Sequence, residues 1–202
     1  GARKLVDILR ALPESAEVTL QQQDKRLLVK AGKSRFSLQT LPAEDFPRLA
    51  RPSGDVSGFS LPQKALRRLL GLVQYSMAQQ DIRYYLNGLL LVLDGNKIKV
   101  VATDGHRLSY AEGTLSESHE KREVILPRKA VVELSKQLSS DDALLHVELY
   151  VAQVRFKYGN SELVTKIIDG KFPDYTRVIP VNYNKKITLE RQGLLHSLQR
   201  AA

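Results

Sequence analysis

The chain has 202 residues, 43% of them hydrophobic and 26% charged, which is typical of a globular protein and argues against a disordered one. It has no cysteine, which excludes disulfides and thiolate metal sites and fits a reducing compartment, and it has no apolar run long enough for a membrane-spanning helix. The formal net charge of +9 favours a polyanionic partner, nucleic acid above all, but indicates no particular fold.

The first part of the chain predicts one helix followed by three strands. Apolar residues from Leu5 to Leu12 recur at helical spacing, and Pro13 ends a helix over residues 2–12. The predicted strands are Glu17–Leu20, Arg26–Lys30 and Ser34–Thr40. The segment 47–58, which contains proline and glycine, predicts a linker.

The middle of the chain predicts a second helix and a run of antiparallel strands. The helix spans Pro62–Ala78, with proline in its first turn. The predicted strands are Arg83–Leu86, Leu89–Leu93, Lys97–Thr103 and Arg107–Glu112. Asp94-Gly95 and Asp104-Gly105 predict tight hairpin turns, and the polar residues 113–122 predict a connector.

The last part repeats this organisation. The predicted elements are a strand at Glu123–Leu126, a helix at Pro127–Leu138, strands within 144–168, and another strand and helix within Lys185–Ala202. Each unit is therefore one helix plus about four antiparallel strands, and two units form a domain. Helices on one side of antiparallel sheet place the chain in the α+β class.

Residues 3–47 reappear in altered form at residues 128–173. Both copies begin with Arg-Lys and end on Phe-Pro, and a second pair of shorter segments repeats at nearly the same offset. A period this long indicates duplicated domains rather than a solenoid. Because the sequence starts partway through one repeat and stops partway through another, we expect it to be a piece of a longer protein. Its unpaired half-domain, 1–55, should then expose apolar surface.

Basic side chains cluster on the helix faces opposite the apolar stripes. They are Arg3, Arg10, Lys64, Arg67, Arg68, Lys129 and Lys136. Charged outer faces are ordinary on surface helices, so simple solvation is one interpretation. The other is that the repeats close into a ring with the helices inward, so that basic faces line a channel that holds a phosphate backbone without reading bases.

The sequence contains no recognisable catalytic, metal-binding or cofactor motif. Asp104 and His106 permit an acid–base or metal hypothesis, but an Asp-Gly turn between two strands accounts for the same residues. Asp141-Asp142 is a lone acidic pair, more typical of a loop than of a metal site. Tyr84-Tyr85 can stack on bases or sugars, or pack into the sheet.

Four motifs together resemble the bacterial beta sliding clamp family, the processivity subunit of DNA polymerase III. They are Val101-Ala102-Thr103-Asp104-Gly105-His106-Arg107-Leu108, Asp169-Gly170-Lys171-Phe172-Pro173-Asp174-Tyr175, Arg83-Tyr84-Tyr85-Leu86-Asn87-Gly88 and Ser34-Arg35-Phe36-Ser37-Leu38. The resemblance implies a DNA-clamp fold, with helices on the inner face and sheets outside, in a head-to-tail homodimeric ring of three like domains per subunit. It implies that residues 1–55 are the second half of the first domain, 56–183 the complete second domain and 184–202 the start of the third.

The resemblance also implies a non-enzymatic, cytoplasmic protein that encircles duplex DNA and uses no cofactor or metal. Family members bind the polymerase III catalytic subunit, the clamp loader and other clients through a short peptide motif in a hydrophobic pocket. The positions that match this pocket are Leu86, Thr103, Gly105, His106, Arg107, Leu108, Pro173, Arg177 and Val178. The positions that match the DNA contacts are Arg3, Arg10, Gln80, Tyr84, Tyr85, Arg128 and Lys129. Two rivals stay open: an enzyme that processes nucleic acid through Asp104 and His106, and a static nucleic-acid-binding module.

Overall fold

The computed structural model describes residues 2–46, 54 and 56–201. They belong to two compact units, residues 1–51 and residues 52–202. The predicted linker 47–58 lies largely outside the described residues, but a strand already begins at Ser57. None of the described helices is long and apolar enough to cross a membrane.

The first unit, over its described residues 2–46, is one α-helix and a sheet of three antiparallel strands rather than about four. The elements are α1 (Ala2–Ala11), β1 (Val18–Gln23), β2 (Arg26–Ala31) and β3 (Ser34–Gln39), and the sheet order is β1-β2-β3. Leu20, Val29 and Phe36 are register partners across the sheet. No residue of α1 is buried, and Val6 and Leu9 are 42% and 39% exposed. Helix α1 therefore exposes part of its apolar stripe.

The second unit contains three α-helices and six strands among its described residues. In chain order they are β4 (Ser57–Pro62), α2 (Gln63–Val73), β5 (Gly88–Thr103), β6 (Leu108–Pro127), α3 (Arg128–Gln137), β7 (Leu144–Leu149), β8 (Gln153–Tyr158), β9 (Ser161–Lys166) and α4 (Arg191–Ala201). Strands β4, β7, β8 and β9 form one sheet in that order, and β5 pairs with β6. All of these pairings are antiparallel. An apolar row crosses the four-stranded sheet through the register partners Phe59, Val147, Phe156 and Leu163.

Helices α2 and α3 begin in the same way, as expected of two equivalent units of helix and strands. Each follows a strand that ends in Leu-Pro, and the N-cap residues Pro62 and Pro127 both have φ of −60°, with ψ of 139° and 142°. The fixed φ of proline suits this extended entry into a helix. Both helices then pack on the main core, where Leu66, Leu70 and Leu134 are almost completely buried. This layering of helices on antiparallel sheet confirms the predicted α+β class.

The apolar run Leu89–Leu93 of β5 is buried on both faces. Its odd-numbered leucines belong to the main core, whereas alternate residues face the other side of the sheet. The cluster on that side consists of Leu90, Val92, Val101, Ile125 and Phe172. Residues 168–178 form part of its cover, because Ile168 N donates to Ile125 O at 2.9 Å and Phe172 is buried in the cluster. This second core fixes residues 173–178 beside the start of β6.

The predicted strand Arg83–Leu86 is wrong. Tyr84–Leu86 forms a single turn of 3-10 helix instead. Asp81 N donates to Asn87 Oδ1 (3.0 Å) and Asn87 Nδ2 donates to Asp81 O (2.8 Å), so the two residues close a loop. Side chains that bind their own backbone in this way compete with strand pairing.

Residues 88–103 form one strand, not two strands joined by a hairpin at Asp94-Gly95. The strand nonetheless bends sharply there. The evidence is the distance of 2.6 Å between Lys99 Nζ and Asp94 Oδ2, since a straight strand that rises about 3.3 Å per residue would hold these two side chains farther apart. The predicted connector 113–122 lies inside β6, where His119 pairs with Gly95. A polar stretch can remain in a strand because the ladder uses backbone groups, whatever side chains face solvent.

Two other boundaries differ from prediction. Helix α2 ends at Val73, and a 3-10 turn, Gln74–Ser76, continues the chain to the buried Met77. Residues 185–190 contain no strand, although the predicted helix after them is present as α4. With no partner strand in the described part of the chain, residues 185–190 have no ladder to join.

Candidate functional site

The turn between β5 and β6 is held by hydrogen bonds from its own side chains. Thr103 Oγ1 donates to Arg107 O (2.7 Å) and accepts from Gly105 N (3.1 Å). Asp104 Oδ1 accepts from the backbone N–H groups of His106 and Arg107 (both 3.0 Å), and its Oδ2 accepts from Arg107 Nε (3.1 Å). The two backbone hydrogen bonds, followed by the Arg107 side chain, lower the pKa of Asp104 below its ordinary value. The predicted turn is confirmed, and Asp104 is an ionised acceptor within it.

Tyr75 connects the 3-10 turn after α2 to this β5–β6 turn. Arg107 Nη2 donates to Tyr75 O (2.8 Å), and Arg107 Cζ lies 5.8 Å from the centroid of the Tyr75 ring. Ser109 Oγ donates to the Tyr75 hydroxyl (3.0 Å) and lies 2.7 Å from Ser76 Oγ. The guanidinium of Arg107 is therefore held against an aromatic ring that is itself fixed by hydrogen bonds.

A cleft of about 330 Å³ lies beside the start of β6. It is lined by Leu108, Tyr110, Val178, Ile179 and Pro180. The rings of Tyr110 and Tyr175 stack with centroids 5.8 Å apart at an interplanar angle of 29°. Tyr175 opens a single 3-10 turn, Tyr175–Arg177, in which the Asp174 side chain accepts a hydrogen bond from Thr176 N. The stacked pair therefore attaches the turn that carries Arg177 and Val178 to β6.

The loop 80–87 lies against the β5–β6 turn and against residues 168–178. Arg83 donates from Nε and Nη2 to the two carboxylate oxygens of Asp81 (3.0 and 2.8 Å), and these hydrogen bonds lower the pKa of Asp81 to about 2. Arg83 Nη2 also donates to Asp104 O (3.4 Å), which ties the loop to the β5–β6 turn. On its other side, a Cβ added to Gly170 would lie 3.4 Å from the Tyr84 ring.

Eight of the nine residues predicted to form a pocket fall into two segments that the fold brings together. One segment is the β5–β6 turn with Thr103, Gly105, His106, Arg107 and Leu108, and the other holds Pro173, Arg177 and Val178. Leu108 and Val178 line the same cleft although they are far apart in the sequence. Leu86 and Thr103 are buried, at 2% and 7% exposure, so they support the site from within. Assignment of these residues to a binding pocket stays a prediction.

The residues predicted to contact DNA differ in their exposure. Those that are exposed are Arg3, Arg10, Gln80, Tyr84 and Lys129, whereas Tyr85 and Arg128 are half-buried. Arg128 Nη1 donates to Met77 O (3.3 Å), so its charge is anchored beside the loop 80–87. Two other basic helix residues pair with carboxylates, Lys64 with Asp142 and Lys136 with Glu133, whereas Arg67 donates to the neutral hydroxyl of Ser140. The helix faces of the second unit therefore carry less uncompensated charge than the sequence indicates.

Within the described residues, no group of three or more His, Cys, Asp or Glu side chains is placed to hold a metal ion. Asp141 accepts from Ser139 Oγ (2.6 Å) and from Ala143 N (3.0 Å), so its carboxylate closes the loop after α3. Asp142 forms a surface ion pair with Lys64. Both acidic residues therefore have the loop role that their spacing favours.

Two profiles of one protein family match the sequence. The profile of the DNA polymerase III beta subunit, central domain, matches residues 60–174, and that of the N-terminal domain matches residues 1–50. The chain belongs to the DNA polymerase III beta subunit family. The matched central-domain residues include the β5–β6 turn, the loop 80–87 and the first part of the segment that covers the second core.

Relatives in this family carry the name beta sliding clamp. The chain is 44% identical to that of Escherichia coli over 201 residues, which is 100% of this chain and 55% of the relative. It is 42% identical to that of Pseudomonas aeruginosa over 202 residues, with the same shares of the two chains. The chain therefore spans about half the length of the curated relatives that it matches.

Solved structures of the family agree with the fold. The crystal structure of the DNA polymerase III subunit beta from Pseudomonas aeruginosa gives a TM-score of 0.91 at 42% identity, covering 98% of this chain and 54% of that chain. The Pseudomonas aeruginosa sliding clamp bound to griselimycin gives the same values. The predicted clamp fold is therefore confirmed.

Sequence reasoning did not single out three residues that contact the predicted pocket segments. Tyr110 could have been found, because it stands two residues after Leu108 in β6 and such residues share a face of a strand. Arg83 lies in a motif that was recognised, but a strand was assigned where the chain forms a loop. Tyr75 gave no signal, since its contact with Arg107 exists only in the folded protein.

Proposed function

We propose that this chain is part of a sliding clamp, a non-enzymatic ring that encircles duplex DNA and holds the replicative polymerase on it. The observation that carries the proposal is the match of the beta subunit family to residues 60–174 and 1–50. Because the chain spans 55% of its relatives, the proposed homodimeric ring needs further sequence of the family type. Such a clamp works on the chromosome, which in bacteria lies in the cytoplasm.

The proposed clamp is built from successive like domains. In this proposal residues 1–55 are the end of a first domain, 56–183 a complete second domain and 184–202 the beginning of a third. The matching starts of α2 and α3, at Pro62 and Pro127, support two equivalent units within the second domain.

The cleft beside the β5–β6 turn is the proposed docking site for client peptides. Leu108, Val178 and Pro180 give it an apolar lining, and the side chains of Arg107 and Arg177 are 59% and 86% exposed at its edge. An apolar recess with a few polar groups is the usual form of a site that binds a short ligand. The proposed clients are the polymerase III catalytic subunit, the clamp loader and other proteins with the same peptide motif. A relative bound to griselimycin is consistent with a ligand-binding surface on clamps of this family.

The proposed contact with DNA is sequence-independent. Arg3, Arg10, Gln80, Tyr84 and Lys129 are exposed and can reach phosphates or sugars, and half-buried Tyr85 and Arg128 lie beside them in the sequence. Phosphate contacts position a protein on DNA without reading bases. Contacts of this kind leave a closed ring free to slide.

The test of the proposed function uses the full-length protein and its clamp loader. After loading on a nicked circular plasmid, the protein should stay bound while the circle is closed and should be lost when a restriction enzyme linearises the plasmid. The physical reason is that a sliding ring leaves at a free end. Equal retention on both forms would instead indicate a static DNA-binding module.

The rival enzyme hypothesis is tested by D104A and H106A in the same full-length protein. A nucleic-acid-processing enzyme that uses these side chains would lose its turnover in both variants. In a clamp, H106A should weaken only the binding of client peptides. The occupation of the Asp104 carboxylate by three N–H donors favours the clamp.

A further inference from the structure

Tyr75 is a large aromatic side chain that contributes to neither hydrophobic cluster of the second unit. It is 58% exposed, yet its position is closely determined by hydrogen bonds. Its hydroxyl accepts from Ser109 Oγ (3.0 Å), and Ser109 Oγ is in turn within 2.7 Å of the fully buried Ser76 Oγ. An exposed ring held in this way has a role other than packing in the core.

The group that the ring contacts is the guanidinium of Arg107. Arg107 is held at three places: Nε on Asp104 Oδ2 (3.1 Å), Nη2 on Tyr75 O (2.8 Å), and Cζ at 5.8 Å from the ring centroid. An arginine carries five N–H donors, and these hydrogen bonds use only two of them. The side chain is still 59% exposed, so the remaining donors are accessible, and Arg107 directly precedes the cleft residue Leu108 in the sequence.

We propose that Tyr75 is a positioning residue that holds Arg107 in place to bind a carboxylate of the client peptide. This inference rests on the proposed docking function of the cleft. A fixed guanidinium presents parallel donors that match the two oxygens of a carboxylate. Because Tyr75 and Asp104 have already restricted the arginine, less conformational freedom is lost when the peptide binds.

The test measures peptide affinity in the full-length protein. The probe is a fluorescent synthetic peptide from the clamp-binding segment of the same organism's polymerase III catalytic subunit, with a second copy whose carboxylates are replaced by carboxamides. Y75L removes the aromatic face and keeps an apolar side chain, whereas Y75F keeps the ring. R107A and the double variant Y75L/R107A complete a cycle, and thermal unfolding checks that each variant folds.

We expect Y75L to weaken binding of the carboxylate peptide about two- to fivefold, the size of an exposed cation–π contact. Y75F should stay within about twofold of the parent, because the ring still faces the guanidinium. Y75L should add nothing in the R107A background, and it should not change the affinity for the carboxamide peptide. An equal effect of Y75L with and without Arg107, or no effect at all, would overturn the inference.

L108A separates this inference from the proposed function on which it rests. If L108A leaves peptide affinity unchanged, the docking site itself is wrong. If L108A weakens binding and Y75L does not, the docking site stands and the role of Tyr75 fails.

Discussion

Single side chains connect the loop 80–87 to the β5–β6 turn. Arg83 binds the Asp81 carboxylate with two hydrogen bonds and reaches Asp104 O with the same Nη2. Asp104 then accepts from Arg107, and Arg107 donates to Tyr75 O. The loop that carries Gln80 and Tyr84, which are proposed to meet DNA, is thus joined by a polar network to Arg107, which is proposed to meet peptides.

Asp81 should titrate far below an ordinary aspartate. We expect a pKa of about 2 by carboxyl NMR, because Arg83 stabilises the ionised form. Since the pKa in the folded state is lowered, the stability that this contact contributes is present above pH of about 4, and it is lost as the pH falls through about 2.

R83A should raise the pKa of Asp81 towards about 3.9, whereas R26A, in the first unit, should leave it unchanged. A pKa near 4 for Asp81 in the unchanged protein would contradict the ion pair.

Gly105 should tolerate a side chain less well than Gly159. Gly105 has φ of +89°, and an added Cβ would lie 3.1 Å from Arg83 Nη1 and Nη2. Gly159 also has a positive φ, +52°, but nothing lies within 4 Å of its added Cβ. We expect G105A to lower the free energy of unfolding by about 1–3 kcal/mol, and G159A by less, in urea titrations. Equal losses would mean that the contact with Arg83 adds nothing to the backbone strain.

At the scale of elements, β5 decides where the site lies. Its leucines alternate between the main core and the second cluster, so other elements must bury both faces of the strand. Helices α2 and α3 pack on one face, and residues 168–178 pack on the other. That second cover ends in the turn Tyr175–Arg177, which the stack of Tyr175 on Tyr110 holds against β6.

The loss of stability on replacing a leucine with alanine should differ sharply between α3 and α4. Leu134 of α3 is 1% exposed in the main core, and Leu198 of α4 is 58% exposed. L134A should therefore cost about 2–5 kcal/mol of the free energy of unfolding through a buried cavity. L198A should change it by no more than about 0.5 kcal/mol. Chemical denaturation of the 202-residue chain measures both, and a small loss for L134A would contradict the assigned core.

At the scale of the whole molecule, the net charge is +9, and only some of the basic side chains are paired with carboxylates. On the helices of the second unit, Lys64 and Lys136 are paired with carboxylates, whereas Lys129 is exposed and has no ion pair among the described residues. Surface pairs of this kind are weak and screened by salt, so they reduce the local potential without abolishing it.

The affinity of the full-length protein for DNA should fall steeply with salt. If Lys129 contacts a phosphate, K129A should reduce the slope of log K against log salt by about one, because one counterion fewer is released. Lys166 is exposed on β9 of the four-stranded sheet and serves as the matched control, so K166A should leave the slope unchanged. Equal slopes for K129A and the parent would remove Lys129 from the proposed contact.

The sequence by itself determined the α+β class, the helix starts, the Asp104-Gly105 turn and the family. Each depends on a local pattern: apolar spacing, a proline before a helix, an Asp-Gly pair or a motif such as that around Thr103. Only the tertiary structure decided that residues 113–122 are a strand and Arg83–Leu86 a loop. In the first case another strand supplies the backbone hydrogen bonds, and in the second Leu86 N donates to Arg83 O while Leu86 O accepts from Ala78 N. It also decided that Tyr75 lies on Arg107 and that Val178 meets Leu108, since packing joins those residues across separate elements.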